Sequence, residues 1–405
     1  MRTASLFPFV LAALCACSTT EQQVEDQIAL LAANKIGSAA WNGAVEHLVG
    51  IGRPSARQLM ILLDPALYKG LRYTEFRDEM TRLRTAAAEV LGRIGHTAAS
   101  ASLDDRVTTA YEYPERVASI RAVGELGWFE AAATALEAQL KDADPTIRLY
   151  SAVALLKIEE QTGVDTIRSA VQSSDPELAE LAIAEMEGAN YFGVPLLVEL
   201  RQQSGPRRER LGQAIQVVES SLLSQLGSDD PEVRRRSARA LGTIGDPAMA
   251  DRLYGLLGDS SNLVRFNAAS SLSQLGDARG TDFLFEALRD QDPILRVNAV
   301  KSLIRVQLTS ESVQGRLIEG LGGVDPLMRS GAAQVLGEAC VTAAVDPLVG
   351  ALADPVPEVR CNAVIALGHI GAPRTREAVQ QLAGDPDQTV AYYAAWALNQ
   401  FGAGS

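Results

Sequence analysis

A frame of about ten positions returns along this chain at intervals of roughly 31 residues. It is seen in DPEVRRRSARALGTIG (230–245), NLVRFNAASSLSQLG (262–276), DPILRVNAVKSLIRV (292–306), DPLMRSGAAQVLGEAC (325–340) and PEVRCNAVIALGHIG (357–371). Each copy reads an apolar residue, arginine, two variable positions, two small residues, two variable positions, leucine and usually glycine. The frame arginines Arg234, Arg265, Arg296, Arg329 and Arg360 are spaced 31, 31, 33 and 31 apart. Upstream, Arg84, Arg116, Arg148, Ala179 and Arg210 hold the same position at spacings of 32, 32, 31 and 31. Trp41 and Ala391 take it in the outermost copies, which makes about twelve units. The step from Arg210 to Arg234 is only 24, so one turn is missing and two helices are expected to fuse near residues 215–227. A chain with such a period builds a stacked array, because one unit cannot bury its own apolar face.

Each unit reads as a helical hairpin. Apolar residues recur three and four apart, the helical signature. Asp230, Asp292 and Asp325 precede Pro231, Pro293 and Pro326, an N-cap followed by proline at the first helical position. Gly245, Gly276 and Gly371 stand where a helix must end in a left-handed residue. Second apolar-periodic segments follow, such as MADRLYGLLGD (249–259) and TDFLFEALRD (281–290). Aromatics make up only 5% and apolar residues 47%, weighted to Ala, Leu and Val, which suits closely packed helices. The paired small residues let successive helices approach.

These repeats resemble the HEAT-repeat family, in particular the short bacterial variety also found in phycobilin lyase subunits. The resemblance covers residues 22–402 and is more regular from about 228. It implies an all-α fold, an α-solenoid of about twelve stacked antiparallel helix pairs. It further implies that Arg84, Arg116, Arg148, Arg234, Arg265, Arg296, Arg329 and Arg360 form a structural ladder, each paired with an acid at the end of the preceding helix. Asp142, Asp259, Asp290 and Asp354 stand six residues before Arg148, Arg265, Arg296 and Arg360.

The first residues, MRTASLFPFVLAALCACSTT, read as a processing segment. Arg2 gives a minimal positive start, and Leu6 to Leu14 form an apolar run too short to span a bilayer. Leu14-Cys15-Ala16-Cys17 resembles a bacterial lipobox. That resemblance implies cleavage of residues 1–16, lipidation of Cys17, and a short tether over 17–21. Cys15 fits less well, since Leu14 would hold the small-residue position; an ordinary secretory signal cut near Ala16 is the alternative. Ser18 after the cysteine resembles the sorting signal of an outer-membrane lipoprotein facing the periplasm, if the host is Gram-negative.

Chemistry-bearing residues are sparse. The net charge of −13 argues against a general nucleic-acid binder. His47, His96 and His369 are far apart, and no HExxH or paired CxxC occurs. A HEAT-type di-iron hydroxylase needs repeated His-Glu pairs, whereas Glu46-His47 is single and reversed. Cys361 and His369, eight apart on one helix, are separated by about 80° and about 12 Å. Cys340 and Cys361 fall at opposite ends of neighbouring helices, and a disulfide needs Cα atoms within about 7 Å, so both are expected to be free thiols. No catalytic residue, metal or cofactor is expected.

Two residues past the frame arginine stand Asn267, Asn298, Gly331, Asn362 and Tyr393. The resemblance puts this position at the edge of the concave surface. A row of amides there would hold an extended peptide by its backbone. Tyr393 and Trp396 would add aromatic anchors. An insertion, DPALYKGLRYTEFRDEM (64–80), offers Tyr68, Tyr73 and Phe76 as a second contact region. The expectation is a non-enzymatic, membrane-anchored scaffold of the cell envelope binding a protein or peptide. An enzyme subunit or chaperone-like factor related to the phycobilin lyases is the alternative, disfavoured by the export signal. A DNA glycosylase of HEAT-like fold is disfavoured by charge and export.

Overall fold

The computed structural model describes residues 19–64, 73–110, 112–127, 130–203, 205, 207–307 and 311–401. The leader, Cys17, Tyr68 and the side chain of Tyr73 lie outside them. Met1–Ile215 and Gln216–Ser405 form two units.

The first unit contains α1 (Thr19–Ala33), α2 (Ala39–Ile51), α3 (Arg53–Leu63), α4 (Tyr73–Arg93), α5 (Ser100–Thr109), α6 (Tyr113–Leu126), α7 (Glu130–Gln139), α8 (Pro145–Lys157), α9 (Val164–Val171), α10 (Pro176–Gly188), α11 (Val194–Gln202) and the start of α12 (Arg208–Gln225). Thr19–Glu21, read from sequence as tether, already belong to α1, where Glu21 supplies an acid to the first turn. The frame falls on α2, α4, α6, α8, α10 and α12, and α4, α6, α8 and α10 pack side by side in turn. In α4 the frame arginine is preceded by eleven helical residues, because much of the insertion is wound onto the helix. Phe76 is thereby buried among Met80 and Leu83, and is not the contact residue the sequence suggested.

The second unit continues with α13 (Pro231–Ile244), α14 (Ala250–Gly255), α15 (Asn262–Gln274), α16 (Ala278–Ala287), α17 (Pro293–Gln307), α18 (Glu311–Gly320), α19 (Pro326–Glu338), α20 (Val345–Ala351), α21 (Pro357–Ile370), α22 (Arg376–Gln381) and α23 (Gln388–Gln400). Its frame helices α13, α15, α17, α19, α21 and α23 stack in that order, with the shorter helices between them on the other layer. Between α12 and α13 the connecting helix is missing, and α12 is a single helix of 18 residues. This is the local shape that the spacing of 24 calls for. Among the described residues there is no strand, and no helix is long and apolar enough to cross a membrane.

Helix starts follow the capping chemistry. Asp230 and Asp325 accept the N–H of Glu232 at 2.8 Å and of Leu327 at 2.9 Å, and Asp292 accepts that of Ile294 at 2.8 Å. Gly245, Gly276 and Gly371 have φ of 79°, 81° and 66°. Cys340 takes the same role without being glycine, at φ 53°.

Neighbouring frame helices approach closely at the frame glycine. A Cβ on Gly337 of α19 would stand 2.4 Å from Ala366 Cα of α21, and one on Gly242 of α13 would stand 2.5 Å from Ser271 Cβ of α15. The small residue of the next helix that meets this glycine lies six positions past its own frame residue.

Candidate functional site

The frame arginines set the register between helices, by a different pairing from the one expected. Arg148, Arg265, Arg296 and Arg360 do not bind the carboxylate six residues before them. Each donates Nη1 instead to that aspartate's backbone carbonyl, at 2.6, 3.2, 2.8 and 2.9 Å. The carboxylate of Asp259, Asp354 or Asp385 points the other way, to the arginine 25 residues earlier. Arg234, Arg329 and Arg360 hold these acids bidentately, with both contacts between 2.6 and 3.0 Å. The physical reason is capping: the carboxylate also accepts an N–H of its own linker, Ser261, Val356 or Asp387 at 2.8 Å, which turns it away from the next helix.

The ladder is interrupted. Arg116 pairs with Asp142 and Gln139, and the buried Arg84 and Arg106 flank Glu115 at 3.9 and 3.4 Å. Burial pushes the Glu115 carboxyl up despite both arginines. Arg148 and Arg296 meet linker carbonyls and no carboxylate among the described residues, and Arg265 adds only Asn262.

A helix advances 100° per residue, so positions two before and one, two, five and nine past the frame residue share one face. This face is open. Leu263, Ile294, Val297 and Tyr392 on it are 53%, 65%, 47% and 69% exposed. The predicted asparagines lie there but do not form a row of free amides. Asn267 is buried, donates to Leu263 O at 2.8 Å and accepts from Arg305 at 3.1 Å. Asn362 donates to Ser330 Oγ at 2.8 Å. Asn298 is half-buried, and its side chain makes no hydrogen bond among the described residues. Gly331 packs against Leu288, where a Cβ would come within 2.9 Å of Cδ2. Tyr393 and Trp396 are half-buried against the core, with ring centroids 6.3 Å apart, and Trp396 meets His369 edge-on at 5.4 Å.

In the first unit the same face carries a pocket of about 440 Å³ between α2, α4 and α6. Its walls include Trp41, Thr85, Glu89, Arg93, Val117 and Arg121. Thr85, Glu89 and Arg93 are one, five and nine past the frame residue of α4, and Val117 and Arg121 are one and five past that of α6. Trp41 and Thr85 are 3% and 5% exposed, yet Trp41 Nε1 and Thr85 Oγ1 have no hydrogen-bond partner among the described residues. Burial raises the Glu89 carboxyl above its ordinary range. Arg93 is committed bidentately to Glu46 at 2.8 Å, and Arg121 to Glu185 and the Tyr150 ring. The unpartnered polar atoms of this wall among the described residues are thus one indole N–H and one hydroxyl, both buried, while the Glu89 carboxylate stands 3.7 Å from Arg93. Sequence reasoning missed this site. The available signal was Trp41 itself, an aromatic where the frame has arginine.

Both Cys340 and Cys361 are free thiols, Cys340 exposed and Cys361 half-buried, with burial raising the Cys361 thiol. Among the described residues, no group of three or more His, Cys, Asp or Glu converges as metal ligands would.

Residues 219–304 and 315–399 match the family model described as HEAT repeats, so the second unit carries HEAT repeats stacked as an α-solenoid. Known structures with a similar chain course include human deoxyhypusine hydroxylase in complex with glycerol, at 20% identity over 77% of this chain and 99% of that one, TM-score 0.26. An engineered protein aligns at 19% identity over 99% of each chain, TM-score 0.31. Kap121p bound to Nup53p aligns at 15% identity over 96% of this chain and 45% of that one, TM-score 0.39. No curated protein sequence matches the chain. The fold class rests on the helices themselves and on the repeat match.

Proposed function

We propose that this protein is a non-enzymatic HEAT-repeat scaffold, anchored through a lipid on Cys17 in the bacterial cell envelope, that holds a protein or peptide partner against the open face of its frame helices. In a Gram-negative host the anchor would sit in the outer membrane, facing the periplasm. The observation that carries the reading is the pair of buried, unpaired groups, Trp41 Nε1 and Thr85 Oγ1, in the wall of an open pocket. A buried polar atom without a partner costs about 1–3 kcal/mol. A partner whose binding parts the pocket wall and supplies an acceptor to the indole recovers that cost. The exposed Leu263, Ile294 and Val297 support the same use of the face in the second unit.

Crosslinking in intact envelopes followed by capture of the protein tests the partner. One defined partner should be recovered, and recovery should fall with Trp41→Phe and Thr85→Val. Recovery of no protein above background, or equal recovery from both variants, would remove the reading. Palmitate labelling should mark the wild type and not Cys17→Ala; equal labelling removes the anchor.

A further inference from the structure

The second unit concentrates positive charge on three neighbouring frame helices of an acidic protein. α13 carries Arg234, Arg235, Arg236 and Arg239, α15 carries Arg265, and α17 carries Arg296, Lys301 and Arg305. Glu232 is the only carboxylate on all three. Arg234, Arg265 and Arg296 are frame residues spent on linkers. The others fall on the open face.

Their pairing is incomplete. Arg235 and Arg236 share Glu232, at 2.5–2.8 Å and 2.6 Å. Arg239, one turn further along α13, is exposed and makes no ion pair among the described residues. Lys301 is exposed and stands four residues before Arg305, a like-charge spacing that destabilises a helix. Arg305 is half-buried and reaches α15, where Nη1 donates to Asn267 Oδ1 at 3.1 Å. It meets no carboxylate among the described residues. Burial, with Arg239 and Arg235 close by, holds its guanidinium below the usual arginine range.

A half-buried cation facing two more cations is unfavourable in the free protein. Asn267 is fixed by its own bond to Leu263 O, so its Oδ1 holds the Arg305 fork in place. The remaining guanidinium donors suit a planar carboxylate, which arginine binds through two parallel N–H bonds. Exposed Leu263, Ile294 and Val297 adjoin them on the same face.

We propose that Arg239 and Arg305, with Arg235 and Lys301 beside them, form an oxyanion subsite that receives the carboxylates of an acidic segment on a protein partner. The apolar neighbours would take side chains flanking those acids. The exposed Leu263, Ile294 and Val297 on the same face favour a peptide, whose side chains can cover them, over a free anion. This names the partner's chemistry and so rests on the scaffold reading.

The experiment is fluorescence anisotropy of the full chain with labelled, end-blocked hexaglutamate. Inorganic phosphate and phosphatidylglycerol vesicles serve as separate arms. Hexaglutamate should bind, more weakly as salt rises. Arg239→Gln and Arg305→Gln should each weaken it about tenfold, while Arg289→Gln in the turn after α16 leaves it unchanged. Arg239 is exposed, so its variant keeps the test valid if Arg305→Gln lowers stability. Absence of hexaglutamate binding, binding indifferent to both substitutions, or binding of vesicles or phosphate alone would overturn the proposal. If hexaglutamate binds in the expected pattern while envelope capture returns nothing, the subsite stands and the scaffold reading falls. A captured partner with no hexaglutamate binding removes the subsite alone.

Discussion

Arg234 on α13 and Asp259 before α15 are 25 residues apart and meet bidentately, Nε to Oδ2 at 2.7 Å and Nη2 to Oδ1 at 2.9 Å. Asp259 also passes its carbonyl to Arg265, 3.2 Å away, and takes the N–H of Ser261. One linker residue therefore fixes two successive frame helices and the turn between them. The same four bonds recur at Asp354, between Arg329 and Arg360.

The hydrogen bonds from Arg234 and Arg360 hold the carboxyls of Asp259 and Asp385 below their ordinary range. A depressed folded value means that these acids contribute stability above the unfolded carboxylate pKa. The contribution is lost as pH falls from about 4 through the depressed values. Thermal unfolding followed against pH should show a drop in that window. Asp259→Asn and Asp385→Asn should each lower the midpoint at neutral pH and flatten the drop.

Gly337→Ala should destabilise by about 1–3 kcal/mol, because its Cβ meets backbone of α21 that cannot yield. Gly350→Ala on α20, with nothing within 4 Å, should instead stabilise by up to about 1 kcal/mol. Opposite signs in denaturant unfolding check the pair; a loss at both sites would mean that helix packing is not the cause.

The thiols should separate by reactivity. Iodoacetamide at neutral pH should modify the exposed Cys340 well before Cys361, whose thiol is raised by burial and by Asp387 and Glu358. Cys340→Gly should also raise stability by about 1 kcal/mol, since it removes a side chain from a left-handed position. Mass spectrometry of the labelled chain and thermal unfolding of the variant read the two effects.

In the pocket, Thr85→Val should stabilise the free protein by about 1 kcal/mol, because it deletes an unpaired buried hydroxyl at nearly constant volume. The same change weakens partner capture, so stability and binding should move in opposite directions. Glu89→Gln should raise the thermal midpoint at neutral pH. Burial lifts the Glu89 carboxyl, so the wild type loses stability as pH rises from the unfolded carboxylate value through the raised one. The gain should shrink toward zero in acid.

Sequence alone determined the all-α repeat, its twelve frame helices and the missing turn before Arg234. Those follow from local chemistry: apolar periodicity, Asp-Pro starts and left-handed ends are written within one unit and repeated. The free state of Cys340 and Cys361 was legible for the same reason, since helix position fixes their separation. Only the tertiary structure decided which way linker aspartates such as Asp259 and Asp354 turn, because the carboxylate binds the N–H two residues on and the arginine of the preceding frame helix, leaving its carbonyl to the next arginine. It alone showed Asn267 and Asn362 spent on neighbouring helices, and placed Trp41, Thr85 and Glu89 around one cavity. Such groups come from different units, and a repeat frame encodes where a residue sits on its own helix, not whether the helix beside it supplies a partner.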